Sequence, residues 1–239
     1  MLFQPTPRLK PETDYLLQLT RTALTAAGDS LELPLVIKFS TQPVRATNIS
    51  PPNGYIFVNP FVPIAVGFNT LMNTASAENA FTVSPQTSGG FVWSGLSGLR
   101  FTPSKGLLTN TKYTVSLNTA AQDFEGFALK EPLEFSFTTD FLRVVNNSPN
   151  NQQTFVDTLA SLYIRFNASV DREAVESAFS TTPAASGEFR WLTGYNFNFT
   201  PSPAWQPNTE YTVRIDTTAT DLGGNGLPAP FSFSFTTRP

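Results

Sequence analysis

Cysteine and histidine are both missing from the 239 residues. Without cysteine there is no disulfide framework, no thiol nucleophile and no thiolate metal site, and the usual clue to redox compartment goes with them. Without histidine, an activated nucleophile would have to come from a Ser–Lys or carboxylate arrangement, and no motif for either is present. Charge is scarce as well, at 14% of residues against the usual quarter. The net charge is −3, and the basic residues stand singly, as at Arg8, Lys10, Lys38, Lys105 and Arg190. Nucleic-acid binding needs clustered Lys and Arg to displace phosphate counterions, so that partner class is excluded. No apolar run reaches the length of a membrane span, and no leader pattern follows Met1. Direct membrane insertion is therefore not expected.

In place of charge the chain carries Thr, Ser and Asn, 20 prolines and 22 phenylalanines. Apolar residues make up 40%, and so many Phe in alternating patterns belong to a chain that collapses around a core. The stronger signal is a repeat of 98 residues without a gap. Phe39-Ser40-Thr41, Phe137-Thr138-Thr139 and Phe235-Thr236-Thr237 mark it, as do Tyr15/Tyr113/Tyr211 and Phe3/Phe101/Phe199. The front halves of the last two copies keep the offset at Pro51/Pro149, Phe68/Phe166 and Trp93/Trp191. A long fixed period means tandem modules. They divide into a C-terminal half module (1–43) and two complete modules (44–140 and 141–239), each large enough to bury its own core. Met1 then falls in mid-module, and the chain is expected to be a piece of a longer protein.

Strict alternation predicts strands, with one face on a core and the other in water. Tyr113-Thr114-Val115-Ser116-Leu117 and Tyr211-Thr212-Val213-Arg214-Ile215 are the clearest, followed by Leu133–Phe137 and Phe231–Phe235. In the half module, Leu35, Ile37 and Phe39 hold the matching inward places. Short strands at intervals of roughly 8–12 residues with turn chemistry between them predict an all-β chain of antiparallel sandwiches. One helical turn or two is expected at Thr74–Ala80 and Arg172–Ala178, where Ala and Glu are enriched, with Asp171 as N-cap in the second copy. Pro51-Pro52-Asn53-Gly54 reads as a turn; its counterpart Pro149-Asn150-Asn151-Gln152 lacks the glycine, so a different turn type is expected there. Between modules the chain runs from Thr139-Asp140 straight into apolar residues, which predicts restricted bending.

Ser50-Pro51-Pro52-Asn53-Gly54, Phe101-Thr102-Pro103, Tyr113-Thr114-Val115, Asp123-x-x-Gly126 and Phe135-Ser136-Phe137-Thr138-Thr139 form an ordered series. The last copy repeats it with Phe199-Thr200-Pro201, Tyr211-Thr212-Val213, Asp221-Leu222-Gly223-Gly224-Asn225 and Phe233–Thr237. The series resembles the bacterial Ig-like repeat of S-layer proteins, large adhesins and bacterial alpha-2-macroglobulin-like proteins. That resemblance implies tandem Ig-like sandwiches, two complete and one truncated. It implies spacer or surface-display modules on an exported parent, located outside the cell or in its envelope, with neighbouring domains of the parent as partners. The ligand stays open, because fold does not fix function.

Against this background the candidate chemistry is thin. Glu173/Glu176 and Glu131/Glu134 are carboxylate pairs, each explained by surface solvation. Asp221, Asn225 and the carbonyls of their Gly-rich loop offer hard oxygen ligands to Ca²⁺, but one carboxylate falls short of a usual site. A turn stabilised by Asp and Asn is the preferred reading of that loop. Trp93 and Trp191 recur at one module position and read as packing, whereas Trp205 replaces Leu107 and is the candidate for an exposed aromatic contact. The expected role is non-catalytic and architectural, with no catalytic residue and no cofactor unless it is Ca²⁺. The rival is a glycan- or protein-binding module working through sandwich-end loops. The half module is expected either to self-associate with a second copy or to be poorly ordered, because its apolar strand faces lack partners.

Overall fold

The computed structural model describes residues 4–239; Phe3, first member of the Phe3/Phe101/Phe199 series, lies outside them. Sheets dominate the described residues, and no sheet draws strands from more than one repeat. Residues 44–140 contribute two four-stranded sheets. One is ordered β3 (Ala46–Ser50), β5 (Ile64–Phe68), β8 (Gly98–Pro103), β7 (Gly89–Ser94). The other is ordered β4 (Tyr55–Val58), β10 (Leu133–Thr139), β9 (Lys112–Leu117), β6 (Phe81–Ser84). The next repeat reproduces both sheets. Its front sheet is β11 (Val144–Ser148), β13 (Leu162–Phe166), β16 (Asn196–Pro201), β15 (Gly187–Trp191). Its rear sheet is β12 (Gln153–Val156), β18 (Phe231–Thr237), β17 (Glu210–Ile215), β14 (Phe179–Thr182).

The alternation seen in the sequence is the burial pattern of the strands. In β9, Tyr113, Val115 and Leu117 are buried and face Phe137, Phe135 and Leu133 of β10 across the antiparallel ladder. Two separate cores result, one around Ile64, Leu99, Val115 and Phe137, the other around Leu162, Phe197, Val213 and Phe235. Pairing is antiparallel throughout, except that β4 and β12 lie parallel to the last strand of their own repeat, at an edge. This is the all-β sandwich architecture expected from the spacing of the strands.

Helices α1 (Thr74–Ala80) and α2 (Arg172–Ala178) stand where Ala and Glu are enriched. Asp171 caps α2 by accepting from the Ala174 N–H, and Asn73 does the same for α1 through Ser76. Each helix is pinned to its sandwich by a tryptophan: Trp93 Nε1 donates to Glu78 and Trp191 Nε1 to Glu176, at 2.8 and 2.7 Å. These bonds assign Glu176 a structural task. No helix among the described residues is long and apolar enough to cross a membrane.

The two Pro-Asn turns, expected to differ in type, are alike. Gly54 and Gln152 both have positive φ, 76° and 63°. Both donate 2.7 Å hydrogen bonds to the last strand, at the Ser136 and Ser234 carbonyls. Asn53 and Asn151 accept from the N–H groups of the same two serines. The hydrogen bonds to the neighbouring strand hold Gln152 in a region that glycine enters at less cost.

Strands β1 (Asp14–Leu19) and β2 (Leu35–Ser40) form a two-stranded antiparallel sheet. Its residues correspond to β9 and β10, but its apolar face is open: Leu17 is 39% exposed and Leu35 54%.

Candidate functional site at the joint between modules

The chain passes between the two complete repeats with almost no free length. Asp140 still belongs to the first, its N–H donating to Val58 O and its carbonyl accepting from Asn110 N–H. Leu142, two residues on, is fully buried in the core of the second. Asn167 straps the intervening chain, donating from Nδ2 to Phe141 O at 2.8 Å and accepting from Arg143 N–H at 2.9 Å. An Arg143–Asp140 ion pair at 2.9 Å lies on the surface and contributes little by itself.

The loop Asp221–Gly226 then reaches back onto the preceding repeat. Asp221 is 1% exposed and Thr109, from the other repeat, 0%. The Asp221 Oδ2 accepts from the Thr109 N–H at 2.7 Å and from its hydroxyl at 2.8 Å. The Asp221 Oδ1 accepts from the N–H groups of Gly223 and Asn225, and the Asn225 side-chain amide donates to both oxygens. Burial alone pushes the Asp221 carboxyl up, but the hydrogen bonds from Asn225 and Thr109 outweigh it and hold the group below the ordinary carboxylate value. The neighbouring Tyr113 hydroxyl accepts from Leu108 N–H, and burial together with the Asp221 charge raises its phenol above the ordinary value.

Apolar packing surrounds this polar centre. A Cβ on Gly223 would come within 2.8 Å of a Leu108 methyl, so any larger residue there would have to push the Leu108 side chain aside. Phe61 meets Tyr195 across the joint at 5.0 Å between ring centroids, and Phe57 lies 6.1 Å from Phe141. Ser169 Oγ donates to Lys105 O at 2.6 Å.

The same positions one repeat earlier are built differently. Pro11 stands where Thr109 does, Lys10 where Leu108 does, and Glu125 where Gly223 does. Proline has neither N–H nor hydroxyl to offer, and among the described residues the Asp123 side chain accepts from within its own loop, from Glu125 and Phe127 N–H. A cleft of about 390 Å³ lined by Arg8, Pro11, Asn69, Asp123 and Glu125 lies there. The ties across this joint include an exposed Lys130–Glu12 ion pair at 2.6 Å.

Asp221 and Asn225, the candidate Ca²⁺ ligands, do come together in the fold. They meet as carboxylate and amide donor in a filled hydrogen-bond set, which leaves no vacant oxygen cage for the ion. No cluster of three or more potential metal-ligating acidic, Cys or His residues occurs among the described residues. Trp205, the candidate for an exposed aromatic contact, is corrected to a core residue. It is 2% exposed, its Nε1 donates to Ala160 O at 2.8 Å, and it packs on Tyr211 and Phe235. It fills the space that Leu107 fills in the preceding repeat, where the same inward backbone position is apolar. Thr109 belongs to no motif; its one signal in the sequence is that threonine stands at 109 where the other copies have Pro11 and Pro207.

The bacterial Ig-like domain family profile matches residues 40–139 and again 141–237. No curated protein matches the chain. Among solved structures, one similar chain is the LD transpeptidase LdtMt1 in complex with imipenem, at 18% identity over 62% of this chain and 61% of that one, TM-score 0.35. Another is an L,D-transpeptidase from Mycobacterium smegmatis, at 16% identity over 81% and 73%, TM-score 0.36. A third is the N-terminal part of the bacterial S-layer protein SbsC, at 13% identity over 81% and 44%, TM-score 0.31. The match thus spans about three fifths of the first of these, and at such scores none of the three carries an argument about this chain. The two profile matches together span most of the sequence, and the chain belongs to the bacterial Ig-like domain family.

Proposed function

We propose that the chain is a non-catalytic structural segment: stiff Ig-like spacer repeats of a larger exported bacterial protein, at the cell surface or in the envelope. An S-layer, adhesin or alpha-2-macroglobulin-like parent fits this reading. The observation that carries it is the buried Thr109–Asp221 contact, which ties one repeat to the next by two hydrogen bonds to a charged group. Such bonds are worth about 1.5–3 kcal/mol each when the partners are desolvated. With the chain strapped by Asn167 and the Phe61–Tyr195 contact beside it, one relative orientation is favoured over others. The mechanism is mechanical: each sandwich hides its own apolar face, and the joint fixes direction. The glycan- or protein-binding alternative loses support with the burial of Trp205.

The absence of native cysteine makes the test clean. Spin labels on Ser88→Cys and Ser186→Cys, both exposed, report the distance between the two repeats. A single narrow distance distribution is expected, broadening when Thr109 is replaced by proline. A broad distribution in the otherwise unaltered chain would rule out a stiff spacer.

A further inference from the structure

The β1–β2 hairpin pairs Tyr15 with Phe39, Leu17 with Ile37 and Leu19 with Leu35, which sets six apolar side chains on one face. The equivalent pairs Tyr113/Phe137, Val115/Phe135 and Leu117/Leu133 belong to the first core, and Tyr211/Phe235, Val213/Phe233 and Ile215/Phe231 to the second. In the complete repeats the core that covers this face draws Val58, Ile64, Val66 and Phe68, and likewise Val156, Leu162, Ile164 and Phe166, from the front of the module, beside Leu99/Phe101 and Phe197/Phe199 from the strand that follows it. Edge strands complete it: β4 runs parallel to β10 on one side, and β6 runs antiparallel to β9 on the other. The Pro-Asn turn adds a clip, in which Asn53 accepts from Ser136 N–H while Gly54 N–H donates to Ser136 O. Asn151 and Gln152 clip Ser234 in the same way. The counterpart of Ser136 and Ser234 in the hairpin is Lys38, on a strand whose neighbour in the sheet is β1 alone.

We propose that this face is a receptor for the front part of a bacterial Ig-like module. The occupant is one continuous segment that carries a Pro-Asn turn, a strand parallel to β2 and a strand antiparallel to β1. Its Asn side chain would accept from Lys38 N–H and its turn N–H would donate to Lys38 O. A second copy of the chain fits less well. Two β2 strands joined across a two-fold axis would pair antiparallel, and the parallel edge strands that a copy carries, β4 and β12, are already paired with β10 and β18 of their own repeats. Two hairpins packed face to face would cover the apolar side chains and leave the Lys38 edge unpaired, at the cost of buried or aggregation-prone backbone groups. The inference rests on the repeat geometry and is independent of the spacer reading.

The test extends the whole chain by grafting a copy of residues 44–98 ahead of Met1, and in a second variant a copy of residues 142–196, with a scrambled segment as control. In at least one graft, exchange of the Lys38 amide should slow by about 100-fold or more. Binding of an apolar dye should fall several-fold, and light scattering should show a monomer. The proposal is overturned if neither graft changes Lys38 exchange or dye binding relative to the scrambled control. It is equally overturned if the unextended chain is a concentration-dependent dimer with a protected Lys38 amide, since a second copy is then the occupant.

Discussion

Thr109 and Asp221 lie 112 residues apart in the chain and meet through two hydrogen bonds, 2.7 Å from the Thr109 N–H and 2.8 Å from its hydroxyl, both to Asp221 Oδ2. The contact joins two separately cored sandwiches, so its loss should register as lost coupling between them as well as lost stability.

Thr109→Val removes the hydroxyl donor and keeps the N–H, at an expected cost of about 1.5–3 kcal/mol. Thr109→Pro removes both donors at a place where Pro11 and Pro207 stand in the other copies, and should cost more. Chemical denaturation measures both. A double-mutant cycle of Thr109→Val with Asp221→Asn should return a coupling energy of about 1–2 kcal/mol, and a value near zero would contradict a direct contact.

The Asp221 carboxyl is held below its ordinary value in the folded chain, with burial opposing the shift and the Asn225 and Thr109 hydrogen bonds outweighing it. A group lowered in this way contributes stability that is fully present above the unfolded value of about 3.9 and is lost as pH falls through the folded value. The difference in melting temperature between the unaltered chain and Asp221→Asn should therefore be level from neutral pH down to about pH 4, then shrink in more acid solution. A difference that shrinks instead on raising the pH would contradict the assignment.

Gln152 occupies the positive φ that Gly54 occupies one repeat earlier. Gln152→Gly should relieve left-handed strain of about 1 kcal/mol and lose part of that gain to greater freedom of the unfolded chain. The net expectation is a stabilisation of about 0.5 kcal/mol, read from the denaturation midpoint of the second complete repeat. Gly54→Ala should act in the opposite direction, although open space surrounds its Cβ position.

Trp205→Ala should destabilise its repeat by about 3–5 kcal/mol, because it empties a core site and leaves the Ala160 carbonyl without its donor. Trp205→Leu, the residue type native at 107, should cost visibly less. Calorimetry of both variants checks the order, and equal stability of all three chains would show that the ring is not packed.

Much of this molecule is legible in its residue order. The 98-residue offset, the alternation in residues 113–117 and 211–215 and the Asp171 cap are local or repeated signals; the strands there begin one residue earlier, at Lys112 and Glu210, and the helix Arg172–Ala178 follows its cap. At Gln152, residue type alone points to a different backbone, whereas two hydrogen bonds to Ser234 impose the one seen in the other copy. Trp205 stands out in the sequence as a departure from the repeat, although its counterpart Leu107 holds an inward place.

The sequence by itself determined the 98-residue repeat, the alternation that turns Tyr113, Val115 and Leu117 and their counterparts inward, and the absence of thiol and imidazole side chains, since these depend on composition and on period-2 order along the chain. Only the tertiary structure decided that Thr109 meets Asp221 and that Gly223 lies against Leu108. Those outcomes depend on how one closed sandwich sits against the next, a relation between surfaces far apart in the chain that no local pattern encodes.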